Sequence, residues 1–597
     1  MKHTLLPLLP FLLAAPALNA AAQADATQKL APLRAKPATT IVHPVYHGTT
    51  MVVKFRHDSG VHLEDGVFQH VDGTEINAIL AEVALKQERL IDLPAETLEA
   101  WRVSGEQKSG KRLHDLNLFF RIELAHKEAM GVTCDRLNAY DIVEIAYPTG
   151  TVEDPMAPPI APFVNPAFAP QPPPLLGSPD FTGSQDYREA APLGVDADYG
   201  QWFSGSRGEG ILIADVETGW TDDHEDIAHA SLNNFVGLTP APYPWDHGTA
   251  VLGELVGEDN GIGVHGIVPE ADVVMSSHLG SGSNVPTAIA NAINAASAGD
   301  VVVLEVQCYG TPPGPFPCEY DPGSFATIQT ATANGIHVFA AAGNGSNNLD
   351  SGVYGGAFDR NVRDSGAVMV GASDGANLVT AWFSNYGSRL DVHGWGQNVT
   401  TTGYGDLHFG SGPTTEYTAA FSGTSSATPI ATGAGMMVMG VYRETFETEI
   451  APLALRSLLT ATGTPQTGGN YIGPRPDVRA AFDSLGVPTL DFAGNLVPGG
   501  SVDVTLTGTA GDPYNLLFSR SLATSTSHVA PFGFLYLGPI ARTAAGVIPT
   551  GGIEMQTFAL PSNPALAGRT IGYAVGELTY MSAVGGGYTN VAALTLN

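Results

Sequence analysis

Gly423-Thr424-Ser425-Ser426-Ala427-Thr428-Pro429 reads as a tight glycine turn that delivers a serine to the start of a buried helix. Small and apolar residues fill 430–441 behind it. A helix N-terminus has unpaired N–H groups and a partial positive charge. A serine hydroxyl there can attack a carbonyl, and the same N–H groups can hold the oxyanion that forms. A lone serine in such a place is equally an ordinary helix cap. Three other segments change the weighing. In Asp246-His247-Gly248-Thr249-Ala250-Val251-Leu252-Gly253 a histidine opens a small-residue helix. Val338-Phe339-Ala340-Ala341-Ala342-Gly343-Asn344-Gly345 is a short buried strand ending in an asparagine whose amide can donate to an oxyanion. Ile211-Leu212-Ile213-Ala214-Asp215-Val216-Glu217-Thr218-Gly219 is a second buried strand, with two carboxylates near its end.

Together these segments resemble the subtilisin family of serine proteases. Acid, histidine, serine is that family's order along the chain, distinct from the orders of the chymotrypsin and α/β-hydrolase groups. Phe383-Ser384-Asn385-Tyr386-Gly387 is similar to the segment upstream of the family's nucleophile, and Gly266-Ile267-Val268-Pro269-Glu270-Ala271 to its turn after the histidine. The likeness runs over residues 190–487. It implies peptide-bond hydrolysis through an acyl-enzyme. Ser425 would be the nucleophile and His247 the general base, then acid. The Asn344 side chain and the Ser425 N–H would hold the oxyanion.

The acid departs from the family pattern, which has aspartate in a D-[ST]-G triplet. Here the triplet is Glu217-Thr218-Gly219, and the residues from Trp220 to Ile227 stay in register with no gap. Glu217 is therefore expected at the acid position, one methylene longer than usual. A glutamate serves as third member of such triads in other hydrolases. Asp215 is the competing acid, on the same strand face but about 7 Å away. A sedolisin-like protease, which would also pair serine with glutamate, is disfavoured by the presence of His247 and Asn344. A non-enzymatic alternative is a subtilisin-like scaffold kept as a secreted binding protein.

The same resemblance implies a calcium site. Glu258-Asp259-Asn260-Gly261-Ile262-Gly263-Val264 runs in register with a family loop that binds calcium. Asn260 matches its asparagine and Asp226 the partnering aspartate. Oxygen ligands of this kind suit calcium. Glu305 and Gln307 fall on the strand expected to pair with substrate backbone. Glu305 is read as a solvated rim carboxylate, and Gln307 as a residue that narrows or reshapes the cleft.

The elements that would position these groups alternate. Strands are expected at 211–216, 272–276, 301–306, 337–341 and 368–370, with helices at 285–298, 326–334 and after Ser425. Continuous apolar strands followed by helices imply an α/β fold, a parallel sheet covered by helices on both faces. Residues 40–150 form a smaller α/β unit, with strands at 50–55 and 116–124 and helical spacing over 75–90. This unit weakly resembles a subtilase propeptide, which caps the cleft and templates a slow-folding parallel sheet. Residues 151–189 are a proline-rich, cleavable linker, with maturation expected between Tyr147 and Arg188. Residues 488–597 alternate over short stretches between glycine pairs and read as a small all-β sandwich.

The chain has 597 residues, too many for one ordinary domain, and a formal net charge of -32. That much negative charge argues against nucleic acid or an anionic membrane as partner. Polypeptide substrates and the chain's own propeptide are the expected partners, acting on a monomer. Met1-Lys2-His3, the apolar run 5–18 and a small-residue exit read as a secretory signal over residues 1–24. That run is short for a bilayer, and no later one is long enough to cross. The expected location is therefore extracellular or periplasmic. Secretion would let Cys308 and Cys318 pair across the loop 309–317, while Cys134 is left over.

Overall fold

The computed structural model describes residues 30–45, 47–70, 73–154, 177–227, 235–237, 246–279, 284–312, 314–529, 533–579 and 586–596. The expected signal segment 1–24 and most of the proline-rich stretch lie outside them.

In the first unit, strand β1 (His47–Phe55) alternates its side chains between two apolar environments. It joins β2 (Ala84–Arg89), β3 (Phe119–Leu124) and β4 (Val143–Gly150) in an antiparallel sheet of order β2-β3-β1-β4. Helices α1 (Gly73–Ala81) and α3 (Met130–Asn138) cover the face that carries Met51, Val53 and Phe55. The opposite face, with Val52, Phe119 and Ile145, packs beside α2 (Ala95–Ser109) onto Ala290, Phe325 and Ala326 of the next unit. The helical spacing read over 75–90 holds only as far as Ala81. Ala84–Arg89 is instead a strand, because it pairs edge to edge with β3 and leaves Leu85 68% exposed. After β4 the chain forms the short strand β5 (Val152–Glu153).

The second unit is a parallel six-stranded sheet. Its strands are β6 (Leu212–Glu217), β7 (Asp272–Ser277), β8 (Val301–Leu304), β10 (His337–Ala341), β11 (Val368–Ser373) and β12 (Val392–Trp395), with the two-residue strand β9 (Gln307–Cys308) following β8. The order is β12-β11-β10-β8-β6-β7, all parallel. Both faces are apolar, as the uninterrupted hydrophobic strands require. Ile213, Val301, Val303 and Phe339 share a core with α4 (Asp246–Val256) and α7 (Thr424–Phe446). Ala214, Val302, Leu304 and Val338 share the other with α5 (Val285–Ala295) and α6 (Pro322–Ala333). The first unit caps this second layer through polar contacts as well. The Leu90 carbonyl accepts from Asn284 Nδ2 at 3.1 Å and Thr287 Oγ1 at 2.7 Å, at the start of α5.

The third unit has a three-stranded and a five-stranded antiparallel sheet around one core, and a further two-stranded sheet over 522–529 and 533–537. β13 (Leu490–Asn495), β14 (Ser501–Thr507) and β17 (Ile553–Ala559) form one, in order β13-β14-β17. β15 (Pro513–Ser519), β16 (Ile540–Val547) and β18 (Thr570–Thr579) run through the other in order β16-β15-β18, with Gly586–Tyr588 and Ala592–Thr595 also pairing with β18. Val502, Val504 and Leu506 meet Tyr514, Leu516 and Leu578 between them, which is the alternation of a sandwich. Cys308 and Cys318 form the expected disulfide. Among the described residues, no helix is long and apolar enough to cross a membrane.

Candidate active site

Glu217 ends β6, and His247 lies in the first turn of α4. A glycine lets the two elements meet. A Cβ on Gly248 would stand 2.5 Å from the Gly219 carbonyl and 2.7 Å from the Trp220 ring, so any larger residue would push the helix away from the strand. With the gap closed, His247 Nδ1 lies 2.9 and 3.0 Å from the two Glu217 carboxylate oxygens. The extra methylene is accommodated with both oxygens facing the ring. The end of β6 is held on its other side too, where Ser277 Oγ donates to the Thr218 carbonyl at 2.7 Å and the His278 N–H to the Glu217 carbonyl at 3.0 Å. Asp215 is occupied elsewhere, accepting from Trp220 Nε1 at 2.8 Å.

Glu217 is fully buried. Burial pushes its carboxyl well up, and the negative charges of Asp154, Asp215 and Glu305 add to this. Burial lowers the His247 imidazole and His278 lowers it further, while Asp154 opposes both. His247 Nε2 is buried and makes no hydrogen bond among the described residues. In a Ser-His-acid triad this is the ring atom that takes the proton of the nucleophile. Such contacts are often open in free enzymes and tighten only with substrate.

Ser425 is the second residue of α7 and is fully buried. The residue before it ties the helix start to Asn344. The Thr424 N–H and Oγ1 both donate to Asn344 Oδ1, at 2.9 and 3.0 Å. With its oxygen committed to Thr424, the Asn344 amide turns its nitrogen the opposite way, the orientation an oxyanion donor needs. Gly343 makes the sharp exit from β10 at φ +86°, which a side chain would strain. Asn385 braces this exit, donating to the Ala342 carbonyl at 2.7 Å and accepting from the Asn347 N–H at 2.8 Å. The segment upstream of the serine thus contributes support rather than chemistry. Phe421, four residues before Ser425, stands edge-on to the His247 ring at 5.5 Å.

Residues 208–480 match the Subtilase family. Over 236 residues the chain is 32% identical to Subtilisin Savinase of Lederbergia lenta, covering 39% of this chain and 78% of that protein. The chain belongs to the subtilase family. It is accordingly a serine-type endopeptidase. The Alkaline protease of Shouchella clausii is also 32% identical over 236 residues, and there the match spans 55% of the relative's length. Among solved structures, fervidolysin from Fervidobacterium pennivorans, a keratinolytic enzyme related to subtilisin, aligns over 95% of this chain and 94% of its own at 15% identity and a TM-score of 0.48.

The tail of this subtilase's N-terminal unit lies beside the site. β5 pairs antiparallel with β9, with Glu153 opposite Gln307 and Val152 opposite Cys308. Gln307 bridges tail and site. Its Oε1 accepts from the Asn344 N–H at 2.9 Å, and its Nε2 donates to Glu153 Oε1 at 2.8 Å. Asp154, the next residue, hydrogen-bonds His278 Nε2 at 3.1 Å and lies 3.9 Å from His247 Nδ1. Neither Asp154 nor His278 stands in a recognisable motif, and nothing in the sequence marked them. Glu305 is not the solvated rim carboxylate expected. It is fully buried, and burial, then Asp215 and Asp154, push its carboxyl well up. Glu254 on α4 is also fully buried and is raised by burial and by Glu305.

The loop 258–264 folds onto Asp226. Val264 N–H donates to Asp226 Oδ2 at 2.7 Å, Asn260 Nδ2 to Oδ1 at 3.2 Å, and Asn260 Oδ1 accepts from the Ile262 N–H at 3.0 Å. Burial pushes Asp226 up to about 8, the two donors oppose this, and the neighbouring charges of Glu258 and Glu225 are both negative.

Proposed function

We propose that this endopeptidase is made as an exported, self-inhibited precursor and cuts peptide bonds through an acyl-enzyme, using Glu217, His247 and Ser425. The observation that carries this reading is the contact of both Glu217 oxygens with His247 Nδ1. An ionised acid there holds the proton on Nδ1, which leaves Nε2 as the basic atom. Nε2 takes the Ser425 proton as Oγ attacks the scissile carbonyl. Asn344 Nδ2 and the Ser425 N–H receive the oxyanion, an arrangement whose single donors are typically worth about 10²–10³ in rate. His247 then passes its proton to the leaving amine, and water repeats the cycle on the ester. A fluorophosphonate reacts only with a serine activated in this way. The label is expected on the peptide containing Ser425 after digestion and mass spectrometry. A matured enzyme that digests casein yet carries no label there would overturn the assignment.

Residues 40–150 act as the propeptide in this reading, and the cut falls beyond Asp154. The packing of the first unit on α5 and α6 and the pairing of β5 with β9 support it. The apolar run 5–18, outside the described residues, fits export.

Asp226, Asn260 and the carbonyls of the loop 258–264 would hold a structural calcium ion. A buried carboxylate with the Asn260 amide against it and Glu258 and Glu225 nearby has the donor chemistry for a hard cation. The ion would supply the positive charge this corner lacks and pin the loop to the strand layer. Calcium present at about a hundred times its dissociation constant adds about 2.7 kcal/mol of stability. A chelator is then expected to lower the melting temperature by about 3–4 °C, reversed by added calcium. Superimposable melting curves would remove calcium from this reading.

A further inference from the structure

The tail contact carries more than inhibition. β5 lies along β9 as an extended peptide adding a strand to an exposed edge, with the Tyr309 N–H also donating to the Thr151 carbonyl at 2.8 Å. Side chains of such a strand alternate. Glu153 turns to Gln307, and Asp154 turns to the imidazoles. The Asp154 carboxylate meets His278 Nε2 at 3.1 Å. The Thr218 hydroxyl is also at hand, 3.2 Å from the same nitrogen. His278 is 1% exposed in its side chain and Asp154 15%. The slot is therefore nearly closed, with a polar floor fixed to the end of β6.

We propose that His278 makes this slot a subsite for an acidic substrate side chain, so that the enzyme favours peptides with aspartate or glutamate at the residue that takes Asp154's place. This rests on the protease reading above. Two opposing effects decide the sign. Burial and the nearby Glu217 disfavour a second carboxylate. The hydrogen bonds with His278 and Thr218 favour it. For Asp154 the favourable set prevails, and its carboxyl is held below the usual range against the cost of burial. A lysine would offer His278 no acceptor. An amide could meet His278 but would lack the charge. A hydrogen bond to a charged group is worth more than one between neutral groups, by a margin that corresponds to about tenfold in affinity.

The test uses the matured enzyme and fluorogenic peptides that differ at one residue among aspartate, asparagine, leucine and lysine. That residue is scanned over three positions before the cut, and cleavage sites are read by mass. Aspartate is expected to exceed asparagine by about tenfold in kcat/KM at one position, mostly through KM. In His278→Leu the ratio should fall to about one, and in His278→Gln to an intermediate value. A ratio near one in the wild type, or one unchanged in both variants, overturns the subsite. A second measurement needs no peptide. In the full chain, Asp154→Asn should raise the initial rate of fluorophosphonate labelling about fivefold or more, because the tail loses its hold on the slot. An unchanged rate counts equally against it. An enzyme that labels and cleaves without acidic preference sinks the subsite alone. A chain that neither labels nor cleaves sinks the protease reading, and the subsite with it.

Discussion

Glu217→Gln is expected to lower kcat/KM by about 10⁴, with little change in KM. Glutamine keeps the length and most of the packing, so the loss reports charge and tautomer. An amide can donate its own N–H to Nδ1, which would place the ring proton on Nε2 and remove the base. Glu217→Asp should cost less, about 10–100-fold, because the carboxylate falls short of a ring positioned for the longer side chain. Asp215→Asn serves as the control. Its partner is the Trp220 indole rather than the imidazole, so activity should stay within a fewfold of wild type. The pH profile gives a second readout. The Glu217–His247 pair is useful only after it has lost the second of its two protons. Burial at the end of β6 and the neighbouring Asp215 and Glu305, which stay when the tail with Asp154 leaves, push Glu217 up, so the activity of the matured enzyme should rise with pH as that proton is lost. In Glu217→Gln that limb should change position or vanish, since the carboxylate that shares the proton is gone. Steady-state kinetics showing Glu217→Gln within tenfold of wild type would mean that a different acid orients the ring.

Ser425→Ala should remove about six orders of magnitude in kcat, the size of loss known for the nucleophile of a related subtilisin. The change is small in volume and falls at a buried helix start, so the fold should survive. The second consequence is structural. A chain that cannot cut itself should accumulate at full length, with β5 still in the cleft. Intact mass and casein digestion read both effects together. Ser425→Ala protein that shortens and digests casein would show that the hydroxyl is not the nucleophile.

Much of the candidate site was legible because its groups sit on short stretches of chain. The register from Glu217 through Ile227 was enough to expect the glutamate beside His247, and the two do meet. The asparagine at the end of a buried strand was legible for the same reason, though its anchor, Thr424, was not. Contacts between distant segments left no such trace. Asp154 and His278 lie 124 residues apart, and each alone is an ordinary polar residue. Glu305 was misread because a place beside a cleft does not reveal which way a side chain turns. The stretch 75–90 was misread because apolar spacing past Ala81 mimics a helix. The edge of β3, which captures Ala84–Arg89, lies more than thirty residues further on. Five of the six strands of the parallel sheet were expected, 337–341 with its ends in place and the other four with an end shifted, while Val392–Trp395 was not expected, since apolar runs mark where a buried strand lies but not where its pairing stops.

Cys134 lies fully buried on α3, with Met51 Sδ at 4.0 Å. Burial pushes its thiol well above the ordinary cysteine value, which leaves almost no thiolate to attack another sulfur. Once the first unit has folded, Cys308 and Cys318 can therefore oxidise only with each other, in a chain whose three sulfhydryls would otherwise allow three pairings. The same unit that occupies the cleft thus shelters the odd sulfur from mispairing. If it is discarded on maturation, the chain that remains has no thiol left to lose.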